Sequence, residues 1–318
     1  MDKPFQNYAE LLKKLREDKG LSVPNEERVI ELLKKHSYFS LVCGYKQLFK
    51  QRESDQYRDG VTIEDLLALF EFDNALRDIF LYSILIIENH IKSLLTYAFV
   101  TEYGAAQEAY LTPENFAFIC RRNKDTYQRC ADVKRLIYGF EQKLQPPYKP
   151  AYIQHQMENH GNIPLWVMIK VVTLGTTSKM YSLCKREVQE AVRAEFPGVS
   201  VKQLAGMLDL LTRVRNVCAH NERLYDFDPG RNRAIRAMPL HNQLGIGRRK
   251  SYYTKGQRDL FAAVVCFKYL LSPDEFREFA DRVDAEINKL LKRTKYIPKS
   301  KILCCMGFPT NWHDSVNL

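Results

Sequence analysis

From Ile63 to about Tyr97 apolar side chains return at every third or fourth position: Leu66, Leu67, Phe70, Leu76, Ile79, Phe80, Ile84, Ile87, Ile91, Leu94 and Leu95. That period belongs to a helix, because it keeps one apolar stripe facing one way only at 3.6 residues per turn. It predicts a long core helix, bent around Phe72 to Asn74. The longest apolar run inside it, Ile79 to Ile87, is interrupted by Tyr82 and Ser83 and fenced by Asp78 and Glu88. This falls far short of the roughly 20 apolar residues of a membrane span, so no membrane is expected. No alternating strand pattern and no Asn-Gly hairpin turn stands out elsewhere, and the expected fold class is all-α.

Start and stop signals divide the remaining chain. A first helix is expected from Phe5 to Lys19, ending at Gly20, and a second from Asn25 to Lys35 with Glu26 and Glu27 in its first turn. The aromatic-rich segment 38–49 predicts a third helix, and 50–61 a polar loop. Thr112-Pro113 reads as a helix start, and Asp125 to Gln145 as a helix. Prolines at 146, 147, 150 and 164 mark the most plausible internal division, giving an N-terminal helical part (1–145) and a C-terminal part (165–318) around a loop at 146–164, intertwined in one domain. Two short helices are expected on either side of Gly175. Capping boxes at Ser200-Gln203 and Ser272-Glu275 open helices running to about Leu224 and Arg293.

Composition adds where the charge lies. The 318 residues carry a formal +10 and 45% apolar residues, a globular balance. The thirty residues from Pro229 to Arg258 contain eight bases and no acid, and Lys289 to Lys301 adds six more bases with no acid. These two segments carry +14, so the body of the chain is mildly acidic. A one-sign block of this kind repels itself unless an anion meets it. Arg231, Arg233, Arg236, Arg248, Arg249, Lys250 and Lys255, with Tyr252 available to stack on an unpaired base, are therefore the expected RNA contacts. The plainer reading is a solvated basic loop without a ligand. The N-terminus lacks the apolar core of a signal peptide, and the chain is expected to be cytoplasmic. Eight cysteines show no CxxC pair and read as reduced, mostly buried thiols. His155, Glu158 and His160 lack a fourth ligand, and neither a metal nor a cofactor is expected. GIGRRK (245–250) reads as a flexible basic turn.

The helix begun at Ser200 carries the side chains that most suggest chemistry. Leu204, Met207, Leu208, Leu211, Val214 and Cys218 make its core stripe; Arg213, Asn216 and His220 fall on the opposite face, and Arg215 projects close to the stripe. A guanidinium there needs a partner or a phosphate. Read plainly, His220 is a surface histidine and Arg215 half of a salt bridge. Cys218 lies on the core stripe without a base beside it, which argues against a thiol nucleophile.

RNVCAH (215–220) resembles the Arg-x4-His signature of the HEPN superfamily of RNA-cleaving domains. The blocks KHSYFSLVCGYKQLF, FDNALRDIFLYSILIIENHIKSLL (72–95), IPLWVMIKVVTLGTTSKMYSLC (163–184) and RNVCAHNERLYDF (215–227), with the tail MGFPTNW (306–312), make nearly the whole chain similar to the Abi family of bacterial abortive-infection proteins of the AbiD/AbiF type. The resemblance implies a HEPN-like helical bundle with additional N- and C-terminal helices, a homodimer bringing two motifs together, metal-independent endoribonuclease activity, phage defence or toxin-like arrest, and in parts of the family a regulatory small RNA or antitoxin. RNA carries its own nucleophile, the 2′-OH. Histidine, ordinarily titrating near pH 6.5, suits His220 to proton transfer, and the planar donors of Arg215 suit a phosphoryl oxygen. Asn216 would orient the imidazole or the phosphate; Arg213, Glu88, Asn221 and Arg223 are supporting candidates, with Glu88 a possible anchor for Arg215 or His220. Expected products are a 2′,3′-cyclic phosphate and a 5′-hydroxyl. A helical module that binds RNA without cutting is the alternative, and a basic loop meeting an acidic protein is a third.

Overall fold

A computed structural model describes residues 4–118, 124–145, 150–230 and 233–318, with 124–126 described by backbone alone. The chain opens with α1 (Tyr8–Lys13), sealed by an Asn7/Glu10 capping box, and loosens into a π-helical turn, Lys14–Asp18, where one regular helix is expected from the sequence. α2 (Glu26–His36) starts on the Asn25 side chain. Segment 38–49 is not a regular helix: a π-helical turn (Tyr38–Cys43) precedes a 3-10 turn (Lys46–Phe49), although Leu41, Val42, Tyr45 and Phe49 are buried as its apolar spacing demands.

α3 (Ile63–Tyr103) is one helix of 41 residues, begun by a Thr62/Asp65 capping box and unbroken at 72–74. By length and hydropathy it could cross a membrane, but half of its most apolar window is buried inside the protein. Within it Asp73, fully buried, and Arg77 are satisfied by side chains and backbone brought from far along the chain.

The rest of the chain wraps this spine. α4 (Gln107–Leu111), α5 (Lys124–Leu144), α6 (Ala151–His160), α7 (Leu165–Met168), α8 (Leu174–Leu183) and α9 (Arg186–Ala194) lead to α10 (Val201–Ala219) and α11 (Pro239–Gln243). Thr112-Pro113 opens only a 3-10 turn, Pro113–Asn115. The break before α8 lies at Val172–Thr173, where the Thr173 hydroxyl caps the helix, so Gly175 belongs to its first turn. The strands β1 (Arg248–Arg249) and β2 (Tyr252–Tyr253) then pair antiparallel, the one hairpin among the described residues, where the sequence suggests only a flexible turn. α12 (Phe261–Leu270), α13 (Pro273–Arg293) and α14 (Lys299–Met306) complete an all-α fold.

α13, α10 and α9 pack along α3. Phe80 of α3 meets Phe267 of α12 and Phe279 of α13, with ring centroids 5.5 and 5.1 Å apart, and those two rings meet each other at 4.8 Å. Tilted and edge-on pairs of this kind contribute about 1 kcal/mol each beyond the area they bury. The C-terminal tail belongs to the same core: Phe308 lies 5.1 Å from both Phe261 and Trp312, and Trp312 is fully buried. One apolar cluster thus runs from Leu12 to Trp312 and is shared by both helical parts.

Candidate functional site

α10 begins where Ser200 and Gln203 cap each other and ends five residues earlier than its apolar spacing suggests. The amide of Asn221 donates to the Cys218 carbonyl and that of Glu222 to the Val217 carbonyl, while Asn221 adopts a left-handed φ of 57°. This pair of bonds closes a helix C-terminus, and asparagine is among the few residues that accept the left-handed position there. His220 is therefore the helix cap, exposed at the very end of α10, with Asn216 exposed one turn before it.

What holds that end in place comes from α3. Asp73 accepts hydrogen bonds from the amides of Leu224 (3.1 Å) and Tyr225 (2.7 Å), from the Tyr45 hydroxyl (2.7 Å) and from Arg77 (2.5 Å). Arg77 also donates to the Glu222 carbonyl (3.0 Å), the Asn221 side-chain oxygen (2.7 Å) and Asn74. Burial pushes the Asp73 carboxyl above its ordinary value, against the pull of Tyr45, Arg77 and the two amides. Both groups are nearly inaccessible, so removing either would leave the other's charge buried without compensation. The sequence gives no hint of this knot, since its partners lie about 150 residues apart.

The structure sorts the candidates into two groups. Asn221 and Arg223 have partners within the fold: the first serves the helix turn and Arg77, and the second donates to the Gly44 carbonyl (2.6 Å) and pairs with Asp226 (3.0 Å). Arg213 pairs with Asp209 at 3.2 Å. Glu88 pairs with neither Arg215 nor His220; it holds Lys92, one turn along α3, at 2.7 Å. Arg215 stands apart. Its guanidinium is half-buried, its Nε is buried without a hydrogen-bond partner, and it has no acidic partner among the described residues. No hydrogen bond engages the side chain of Asn216 or His220 among the described residues. Burial pushes the Cys218 thiol up to about 12, which leaves it inert as a nucleophile at neutral pH. A cavity of about 330 Å³ opens where α2, α3 and the end of α10 meet, lined by His36, Arg77, Asp78, Cys218 and Asn221 among others, but not by Arg215 or His220.

The basic loop runs beside this helix. Gln203 donates to the Ala237 carbonyl (2.9 Å), and Arg233 approaches Asp209 to 3.7 Å, sharing it with Arg213. Arg248 lies over the Tyr253 ring, 4.5 Å from its centroid, and donates to its hydroxyl. Lys255 is committed to the Phe308 carbonyl (2.7 Å) and ties the hairpin to the buried tail, so it is a structural lysine. Arg236, Arg249, Lys250 and Arg258 are exposed and meet no acidic partner among the described residues, and Tyr252 is 49% exposed beside them. Arg231 lies outside the described residues. In the second basic segment three of the six bases find acids within the fold, Lys289 with Glu286 (3.2 Å), Lys299 with Asp284 (3.4 Å) and Arg293 with Glu71, while Lys292, Lys295 and Lys301 are exposed without an acidic partner among the described residues.

Neither the curated proteins nor the solved structures contain a match to this chain. Residues 31–226 match the family described as Abi-like protein, a span that begins in α2 and closes just after the Arg215–His220 helix and the loop that Asp73 anchors. The chain belongs to this Abi-like family, and its general role is therefore abortive infection, a defence against phage.

Proposed function

We propose that the protein is a metal-independent endoribonuclease of the HEPN type, acting in phage defence through Arg215, Asn216 and His220. The observation that carries this reading is Arg215. A half-buried guanidinium with an unpartnered donor is costly in a resting protein, and a phosphoryl oxygen would supply the missing acceptor. His220, freely exposed at the helix end, would exchange the proton of the 2′-OH or of the leaving 5′-oxygen, while Asn216 on the same face would hold the scissile phosphate. One chain offers a single such histidine. Cleavage by 2′-OH attack needs a base and an acid, so a homodimer that contributes two copies of the motif fits the chemistry, with RNA lying across Arg249, Lys250 and Tyr252 of the hairpin. Cytoplasmic action on RNA and control by a small RNA or antitoxin belong to the same proposal.

Expression of the wild type beside His220→Ala, with total RNA examined for 5′-hydroxyl and 2′,3′-cyclic phosphate ends, tests it. New ends are expected with the wild type alone. Arg215→Ala should also abolish them, whereas Arg213→Ala, which removes a guanidinium already paired to Asp209, should retain most cleavage. Identical RNA ends and identical growth for all four proteins during phage challenge would remove the nuclease reading. RNA retention without cleavage would favour the non-cutting alternative, which the unpartnered imidazole of His220 also suits.

A further inference from the structure

Another cavity lies away from this motif, on the opposite half of α3. It encloses about 780 Å³ between that helix and the α7 turn. That is within the range of small-molecule sites, about 300–1,000 Å³. Lys92 on its wall is fifteen residues beyond Arg77, roughly 22 Å along the helix axis. Two aromatic rings that the core leaves out, Tyr97 (76% exposed) and Trp166 (49% exposed), both line it. Lys92 and Lys170 supply cations, Asn89 an amide, and no lining residue is acidic.

The cavity also contains an unmet polar group. Thr96 is 94% buried, yet its hydroxyl has no hydrogen-bond partner, although a helical threonine ordinarily bonds the carbonyl one turn back. Lys92 is pre-positioned: Glu88 and the Val172 carbonyl hold its ammonium at 2.7 Å each, which leaves one N–H to spare. Lys170 is exposed and has no acidic partner among the described residues. An aromatic pair beside one unpaired cation, Lys170, a spare N–H of Lys92 and a buried hydroxyl is the chemistry of a ligand with a flat ring, an anion and polar edges.

We infer that this cavity binds a nucleoside phosphate, its base against Tyr97 and Trp166, its phosphate on Lys170 and the free N–H of Lys92, and a sugar or base polar atom on the Thr96 hydroxyl. The ligand is either a free nucleotide or the 5′-terminal residue of an RNA strand. The site is independent of the Arg215–His220 chemistry, so each reading can fail without the other.

Trp166 is also the reporter, because the chain's other tryptophan, Trp312, is buried in the core. The full-length His220→Ala protein is titrated with AMP, UMP, adenosine and a short 5′-phosphorylated oligoribonucleotide, followed by tryptophan fluorescence and calorimetry. A saturable response to AMP or UMP is expected, about tenfold weaker for adenosine and at least about tenfold weaker in Tyr97→Ala and Lys170→Glu, a factor large enough to separate from scatter. Both variants should keep the parent's thermal midpoint, as they alter exposed side chains. A tryptophan response to the oligoribonucleotide that Tyr97→Ala and Lys170→Glu both weaken, without one to AMP or UMP, also supports the site and assigns the ligand to a strand end, whereas binding that neither variant weakens belongs to the RNA surface proposed above and overturns this site. The proposal is overturned if nothing saturates, if adenosine binds as AMP does, or if both variants bind like the parent. It is equally overturned if Tyr97→Ala changes the sedimentation of the protein while no nucleotide binds, which would assign this face to a second copy of the chain.

Discussion

Asp73 and Arg77 set the position of every other residue near the motif, and they do so as a pair of buried charges. Removing one leaves the other uncompensated, so Asp73→Ala should destabilise the protein by about 3–5 kcal/mol, read as a lower midpoint in urea unfolding; a midpoint unchanged from wild type would show that the pair does not matter. A half-buried acid elsewhere in the fold makes stability depend on pH. Asp259 accepts the amides of Gly256 and Ala262 at the start of α12, yet burial pushes its carboxyl up to about 6. The folded chain therefore holds this proton more tightly than the unfolded one does, with its carboxyl near 4. The sign follows: this contribution is fully present below about pH 4 and is lost as pH rises through about 6, an effect on the order of 2–3 kcal/mol. Asp259→Asn, whose side-chain oxygen still accepts from the amides, should remove that part of the slope, and thermal melts of both proteins from pH 4 to pH 8 would show it. At this scale the sequence was readable only for single residues. It marked Arg215 as the arginine that a plain helix does not explain, and Arg215 is the one whose Nε has no partner. It left Glu88 either an anchor across a helix pair or half of an ordinary buried ion pair, and the second is what the structure holds, with Lys92 four residues on. Nothing local marks Asp73 as the acceptor for residues 224 and 225.

Elements were legible where they are specified locally and obscure where they are not. The capping boxes at Ser200 and Ser272 start helices as their side chains dictate, and the apolar period of 63–97 is one helix. The end of α10 was also written locally, in Asn221, because an asparagine after the last apolar stripe residue is a stop signal. Its neighbour Leu224 continues the apolar spacing and masks that signal. The π-helical turns at Lys14–Asp18 and Tyr38–Cys43 have no sequence signature, since tertiary packing sets them. The hairpin at 248–253 has two residues per strand, too few for alternation to register, and it turns on Lys250 with a φ of 57°. This element, rather than the basic segments as a whole, is the one expected to meet RNA. Arg249 and Lys250 are exposed and unpaired, whereas Arg248 is stacked on Tyr253 and Lys255 is tied to the tail. Arg249→Ala with Lys250→Ala should weaken RNA binding and lower the slope of log K against log salt by about 1.4, at roughly 0.7 per phosphate contact on a single strand. An unchanged slope would mean that the hairpin does not touch phosphates.

At the scale of the whole molecule the charge is redistributed rather than simply basic. Half of the bases of 289–301 are spent on Glu286, Asp284 and Glu71, the last two tying α14 to α13 and α13 to α3, while the loop that Gln203 and Asp209 hold against α10 keeps Arg236, Arg249, Lys250 and Arg258 exposed without an acidic partner among the described residues. A strand laid along that loop would be brought to one Arg215–His220 set, with a single imidazole at the helix end. The proposed chemistry uses two imidazoles, one taking the 2′-OH proton and one giving a proton to the leaving oxygen, and this makes a prediction about stoichiometry. Suppose wild-type and His220→Ala chains are mixed at constant total concentration and allowed to exchange. If each chain cuts alone, activity falls in proportion to the wild-type fraction. If a site requires both histidines, only wild-type pairs cut, and activity falls as the square of that fraction, so an equal mixture retains about a quarter of the activity rather than about half. The square law is the expected outcome. A straight line would place base and acid in a single chain, and because His220 is the one histidine at the end of α10, the second proton-transfer group would then have to be sought among the residues around the 330 Å³ cavity, with His36 at its rim.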